Sequence, residues 1–343
     1  MRKNFGLLAV ATLAALPLAS QAGAPTPTLG QVLDASGITA RGYVDAGYSA
    51  TNLGTPNANS FALNQVALTL AKQPTEGFGG LVNLSLGNDV AKYGINTAYG
   101  DAPNNFAITQ AYVQYATGAL TVIGGRFVTL AGEEVIDQTQ DANISRSLLF
   151  GIQTLVHTGV RATYKVSDQL SVIGGVNNTA FGADVLGVDA NPQKAIELGA
   201  TFAPASNLSM ALSHYREASG AATVGETDLT DFVANLQASQ ALALGFNADY
   251  KHTQSGTVVG SVQKGAALYA GYQFCDQIKG TLRAEYLKGQ GSTDGIAKEL
   301  TYTVDYVATK NFNLLAEYRY DHATIPAGKT VGSTVGVKAI YSF

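Results

Sequence analysis

The 343-residue sequence has a single cysteine, Cys275. One thiol closes no intrachain disulfide, so no covalent staple fixes the fold, and with no cysteine after the leader an amino-terminal lipid anchor has nowhere to attach. Charge is scarce too: 13% of residues are Asp, Glu, Lys or Arg, against about a quarter in ordinary soluble domains. Beyond Leu18 no apolar run approaches the roughly 20 residues that a membrane helix requires, which excludes a helical inner-membrane bundle. Nor is there a basic surplus. With 21 Lys plus Arg against 25 Asp plus Glu, the chain offers nucleic acid no electrostatic footprint.

What fills the chain is alternation. From residue 38 onward, runs of eight to twelve residues alternate apolar and polar and recur about sixteen times. In Phe312 to Asp321, Phe312, Leu314, Ala316, Tyr318 and Tyr320 share one face, while Asn313, Glu317, Arg319 and Asp321 share the other. Side chains alternate across a strand, so each run has an oily side and a wet side. The spacing predicts strands near 38–49, 60–72, 78–88, 106–116, 119–127, 157–166, 169–178, 194–203, 207–217, 227–238, 241–252, 265–274, 279–289, 298–308, 311–321 and 333–343.

The connections alternate as well. Tight turns are expected at Gln73 to Gly77, Ala116 to Gly118, Val166 to Asp168, Ala203 to Asn207, Ala238 to Gln240, Cys275 to Ile278 and Ala308 to Asn311. Longer connections fall near 50–59, 89–105, 128–156, 179–193, 218–226, 253–264, 290–297 and 322–332. Outer-membrane barrels combine short periplasmic turns, longer extracellular loops and an even strand count. The fold class expected is all-β: a closed antiparallel transmembrane β-barrel of about 16 strands over residues 38–343, with both ends on the periplasmic side. A secreted β-sandwich or solenoid also alternates. However, the tyrosine-rich apolar face and charged polar face, with 38 glycines, 17 tyrosines and 13 phenylalanines, suit strands bathed in lipid on one side.

Residues 1–22 have another character. Arg2 and Lys3, an apolar stretch from Phe5 to Leu18 broken by Pro17, and the small-residue site Ser20, Gln21, Ala22 compose a secretory signal peptide. Residues 23–37 are expected to be a short periplasmic segment. Removal of two positive charges with the leader takes the net charge from −4 to −6 (19 basic against 25 acidic).

Inward projection of the polar face lines the lumen with Arg41, Asp45, Arg161, Lys165, Glu197, Asp249, Lys251, Arg283, Glu285, Asp305, Glu317, Arg319 and Lys338. A barrel of 16 to 18 strands leaves an aqueous channel, so passive diffusion of small hydrophilic solutes or ions is the expected function. Two readings of these charges stand side by side: cross-strand ion pairs that brace the wall, or groups that select solutes. Seven basic and six acidic candidates nearly balance, and no ring of one sign announces an ion preference.

The longest connection, Leu130 to Gln153, carries Glu133, Glu134, Asp137 and Asp141 before Arg146. Loops of that length tend to be functional. One expectation is that it folds into the barrel and narrows it, with Glu133 and Glu134 lending a modest cation preference; the other is a solvated extracellular loop.

Around this segment stand Gly124-Gly125-Arg126-Phe127, Gly132 to Asp137, Ser145-Arg146-Ser147-Leu148-Leu149-Phe150-Gly151 and His157-Thr158-Gly159-Val160-Arg161. This stretch of about forty residues resembles the OmpL-like family of β-barrel porins of Gram-negative bacteria. The resemblance implies an outer-membrane pore; Arg126, within this stretch, is a further pore-lining candidate. It brings no catalytic residues. Trimers follow from it by analogy only.

Rival classes need their own residues. A barrel enzyme would need a serine within reach of His157, His214, His252 or His322, but neighbours such as Ser213 and His214 alternate to opposite faces. No His, Cys, Asp and Glu cluster has metal-ligand spacing, and Ile123-Gly124-Gly125 precedes no helix, so neither metal nor cofactor is expected. An adhesin or receptor would act through its loops, yet these are rich in Asn, Thr, Gly and Ala, with few aromatic anchors.

Overall fold

A computed structural model describes residues 29–53, 58–93, 100–101, 105–181, 193–218, 225–254 and 260–343. The leader expected at 1–22 lies outside the described residues. Within the segment expected at 23–37, Leu29–Ser36 forms helix α1, whose last turn closes with the Ser36 hydroxyl donating to the Leu33 carbonyl at 2.7 Å.

Residues 38–343 are one closed sheet. Its strands are β1 (Thr39–Thr51), β2 (Ala58–Lys72), β3 (Gly77–Leu86), β4 (Gly100–Asp101), β5 (Phe106–Thr117), β6 (Leu120–Val128), β7 (Val156–Lys165), β8 (Leu170–Asn177), β9 (Ala195–Ala205), β10 (Leu208–Ala218), β11 (Glu226–Gln237), β12 (Leu242–Thr253), β13 (Ser261–Cys275), β14 (Ile278–Gly291), β15 (Gly295–Thr309), β16 (Phe312–Ile325) and β17 (Gly328–Ser342). Sixteen of them form the wall. The two-residue β4 pairs with the first two residues of β5 inside a connection that also holds the short helix α2 (Asn88–Lys92). Every pairing is antiparallel between sequence neighbours, apart from β3 with β5 across this insertion and β1 with β17, which closes the ring from Tyr43↔Ser342 to Thr51↔Thr334.

The faces are inverted relative to a soluble protein. Phe61, Phe78, Leu268 and Val335 project outward and are 83, 79, 60 and 52% exposed, while Asp45, Glu197, Arg283 and Thr301 point inward and are fully buried. Aromatic residues border the apolar band on the outer face: Tyr250, Tyr286 and Tyr320 toward the long-loop end, Tyr115, Tyr164, Tyr272 and Phe343 toward the short-turn end. Such girdles mark the two membrane interfaces.

Two long connections expected from the alternation are hairpin tips instead. β14 runs on to Gly291 and β15 begins at Gly295, leaving residues 292–294; β16 and β17 leave only 326–327. The ladder there continues through Gly289↔Gly295 and Ile325↔Gly328. Above the lipid band an outward side chain has no need to be apolar, so strand pairing persists where the hydropathy rhythm fades.

The outward band supports a direct test. Leu268→Arg places a charge in the middle of the apolar face and is expected to lower unfolding free energy by about 2–4 kcal/mol, measured by urea unfolding in lipid vesicles.

Candidate functional site

After Val128 the chain leaves the wall and crosses the lumen, returning at Val156; the Thr129 amide donating to the Leu155 carbonyl at 2.9 Å closes the neck. This segment has no regular secondary structure, so its backbone groups need other partners. The wall supplies them. The Tyr215 hydroxyl accepts from the Leu130 amide at 2.7 Å, Asp231 from Gly132 at 3.0 Å, and the Tyr43 hydroxyl from Gln138 at 3.2 Å. The two oxygens of Glu317 accept from the amides of Ile144 and Ser145 at 2.6 and 3.0 Å, and both oxygens of Glu285 accept from Leu148 at 2.9 and 3.0 Å. In return Arg283 donates to the Ser145 carbonyl at 2.7 Å, Arg319 to that of Arg146 at 2.6 Å and Lys251 to that of Ile152 at 2.9 Å. Anchors thus run from β10 round to β17 and on to β1. The segment spans the lumen, and the expectation of a solvated loop gives way to these contacts.

Apolar patches on the otherwise polar inner face receive it. Ile144 packs on Tyr43, Ala67, Leu315 and Ile340. Leu149 and Ile152 pack with Ala267 and Tyr269, and Ile136 with Phe150 packs against Val90 and Ala107. Burying such side chains contributes roughly 1.5–3 kcal/mol each.

Several of the predicted site residues form ion pairs, while Asp249 accepts from the Gln153 amide at 2.7 Å. Arg283, fully buried, is the hub: Glu134 lies at 2.5 Å, Glu299 at 2.8 Å and Glu285 at 3.4 Å. Arg319 grips Asp321 with two bonds of 2.7 and 2.8 Å. Arg161 does the same to Glu197 at 2.6 and 3.0 Å, with its guanidinium 4.3 Å over Phe127 and the Asn177 amide completing the Glu197 set at 3.1 Å. Beside them His157 stacks on Tyr215 at 4.8 Å, and Arg126 donates to the Ile108 carbonyl at 3.0 Å. Lys338 pairs with Asp45 at 3.2 Å and donates to Gln138. Arg146 pairs with Asp141 inside the segment and lies 5.0 Å over Phe150. Asp305 is half-buried and holds Asn313 at 3.0 Å; Lys165 is exposed at the short-turn end, 2.7 Å from Asp168.

Two expectations change. Glu134 does not face water: it is ion-paired to Arg283 and accepts the Ser147 amide at 2.6 Å. Glu133 accepts from the Asn235 amide at 2.7 Å, and burial holds its carboxyl above the usual range, with Glu134 and Asp231 adding to the effect. The lumen is narrow enough that a carboxylate on the crossing segment reaches the wall, so both act as struts.

Tyr43, Tyr215, Leu315, Ile340, Asp231, Asn247 and Glu299 also hold the segment or its ion pairs, beyond the residues that alternation singles out. Leu315 and Ile340 carried a signal, each being a large apolar residue on the wet face of an alternating run. Asp231 was harder to place because Leu229 and Val233 share its inner face.

Between the segment and the wall of β1, β2, β3 and β5 lies a cavity of about 150 Å³. Its wall side carries the polar Arg41, Gln65, Thr69, Asn83, Ser85 and Thr109 together with Tyr43, Ala67 and Val128, and its segment side residues 134–137, Gln140, Phe150 and Leu155. Amides and hydroxyls there satisfy one another, as in Asn83 to Thr69 at 2.7 Å and Thr109 to Ser85 at 2.8 Å. Arg41 stands 4.0 Å from Asp137 across the opening, and both are solvent-accessible.

Loss of the hub cation strands three carboxylates. Arg283→Ala is expected to destabilise the fold by about 3–5 kcal/mol in urea unfolding and to make residues 130–153 newly sensitive to protease.

No curated protein matches the sequence. Solved structures similar to this chain are outer-membrane proteins. OprB of Pseudomonas putida is 12% identical at a TM-score of 0.66, with 91% of this chain and 96% of that one covered. An anion-selective porin from Comamonas acidovorans is 13% identical at 0.64, covering 89% and 99%. OmpT of Vibrio cholerae in its trimer form is 12% identical at 0.63, also covering 89% and 99%. At these identities the likeness is one of fold. A family model described as "Putative beta-barrel porin-2, OmpL-like" matches residues 37–343, far beyond the forty residues that carried the resemblance. The chain belongs to that family and is an outer-membrane porin, a channel built as a closed 16-strand barrel.

Proposed function

We propose that this porin passes small polar solutes and ions by passive diffusion, through the opening between segment 129–155 and the wall of β1, β2, β3 and β5. The observation that carries this reading is the row of amides and hydroxyls along one side of that opening, Gln65, Thr69, Asn83, Ser85 and Thr109. Its wall side is mostly neutral amide and hydroxyl, and its accessible charges, Arg41 and Asp137, are of opposite sign and 4.0 Å apart. Selection is therefore by size, with weak ion preference. Glu134 contributes little to it because its carboxylate is ion-paired to Arg283, and Glu133 because burial disfavours its charged form.

The remaining features follow the same reading. In this reading the protein is a channel without catalysis; Ser213, buried toward the lumen, and the adjacent His214, on the outer face where it meets Thr230 at 2.9 Å, form no dyad. Residues 1–22 direct export in a Gram-negative cell and are removed there, 23–37 remain in the periplasm, and the long-loop end faces the exterior. A trimeric assembly follows by analogy with the trimer form of Vibrio cholerae OmpT.

Single-channel recording of the refolded barrel in a planar bilayer tests the proposal. Stable ohmic steps with a near-zero reversal potential in a salt gradient are expected. Asp137→Asn is expected to shift the reversal potential toward anions, and Arg41→Gln toward cations. A folded, heat-modifiable barrel without current would overturn the channel, and a strong preference unaffected by either substitution would overturn this route.

A further inference from the structure

The cavity between segment 129–155 and the wall of β1, β2, β3 and β5 has two unlike sides. Toward the wall stand Gln65, Thr69, Ser85 and Thr109, all buried and all neutral; toward the segment stand the apolar Ile136, Phe150 and Leu155. Hydrogen bonds along the wall side leave bonding capacity over. The Ser85 hydroxyl accepts from the Gln65 amide at 3.3 Å and from the Thr109 hydroxyl at 2.8 Å, so its own proton is left to give. The Thr69 hydroxyl, which accepts from Asn83 at 2.7 Å, is in the same state. The Gln65 carbonyl oxygen has no hydrogen-bond partner among the described residues, although the residue is only 1% exposed. A buried acceptor left unpaired is unfavourable.

An unused acceptor and an unused donor thus stand side by side, joined through the Gln65 amide. A carboxylate only accepts and an ammonium only donates, whereas a hydroxyl does both. The solute that completes this row carries several hydroxyls, one donating to Gln65 and others accepting from Ser85 and Thr69, and lays its C–H groups on Ile136, Phe150 and Leu155. A mainly apolar surface with a few convergent polar groups is how ligand pockets fix orientation.

Charge points the same way. Arg41 and Asp137 oppose each other at 4.0 Å, and the Glu134 carboxylate, which also lines the cavity, is held by Arg283. An ion that sheds water to enter gains no countercharge, and a desolvated charge without one is unfavourable. Size sets an upper bound: about 150 Å³ is room for about five waters, which admits a short polyol and excludes a disaccharide.

We propose that this cavity is a binding site for a short neutral polyol, of the glycerol or erythritol class, held by Gln65 and Ser85. The site rests on the proposed diffusion route in that the solute arrives by it; retention is an added property, which makes polyol flux saturable.

The test uses the full refolded chain in lipid nanodiscs, with bound solute read at equilibrium by saturation-transfer NMR. Glycerol, erythritol, glycerate and propanol are the probes. Wild type is expected to give saturable transfer to glycerol and erythritol, and to bind glycerate and propanol at least about tenfold more weakly. Gln65→Met and Ser85→Ala are each expected to weaken glycerol binding at least about tenfold, and Ser85→Thr, which keeps the hydroxyl, to retain it; heat-modifiability on a gel checks that each barrel is folded. No saturable transfer in wild type would leave water as the sole occupant and overturn the site, as would glycerate or propanol binding as tightly as glycerol. Unchanged glycerol affinity in both Gln65→Met and Ser85→Ala would overturn the assignment to these residues. The two readings fail separately: a conducting barrel that binds no polyol overturns the site alone, and a polyol-binding barrel without current overturns the channel alone.

Discussion

Closure of the backbone ladder is the constraint on which the rest of this molecule depends. Hydrocarbon offers peptide groups no hydrogen bonds, so a spanning sheet must leave no edge. The seam between β1 and β17 removes it, ending in the reciprocal bonds between Gly42 and Phe343, each amide donating to the other's carbonyl at 2.9 Å. Once the ring is shut, side chains alone decide what each face meets. That is why period-two alternation runs unbroken through most of the wall, with leucine and tyrosine outside and arginine and glutamate inside.

Sixteen strands enclose more space than inward side chains can fill, and the chain answers with one of its own connections. Segment 129–155 enters a site where water is limited and its amides lack secondary-structure partners. A carboxylate that accepts backbone amides, such as Glu317 or Glu285, satisfies them with charge-assisted bonds of roughly 1.5–3 kcal/mol each. Arg283 supplies a cation to Glu285 at 3.4 Å, and Arg319 one to the neighbouring Glu299 at 3.8 Å. The same device recurs where Glu217 accepts the amides of Ala180 at 2.7 Å and Phe181 at 2.9 Å. The polar lumen is therefore the packed interior of this protein, held by hydrogen bonds where a soluble domain would use apolar contact.

Fold and face were legible in the sequence because alternation is local: each residue's side follows from its neighbour's. Arg161 and Glu197 could be placed inside from β7 and β9 separately. Their pairing could not, since it needs β8 to bring the Arg161 guanidinium, Gly175 and Glu197 into one register. Strand ends near Gly291 and Gly328 were missed because lipid no longer dictates hydropathy there. The segment's course was half legible. Its length and acidity pointed inward, but the receiving patches at Leu315 and Ile340 look like ordinary lapses in alternation until Ile144 is seen against them.

The roles of Glu133 and Glu134 follow from the same geometry. A carboxylate in a wide aqueous pore would project its charge toward passing ions. One that touches an arginine projects only a dipole, whose field falls off faster with distance than that of a lone charge. By engaging Arg146, Arg161, Arg283, Arg319 and Lys338 in ion pairs, the barrel carries ionised groups whose fields largely cancel. On the proposed route a solute meets the geometry of the opening and the opposed charges of Arg41 and Asp137.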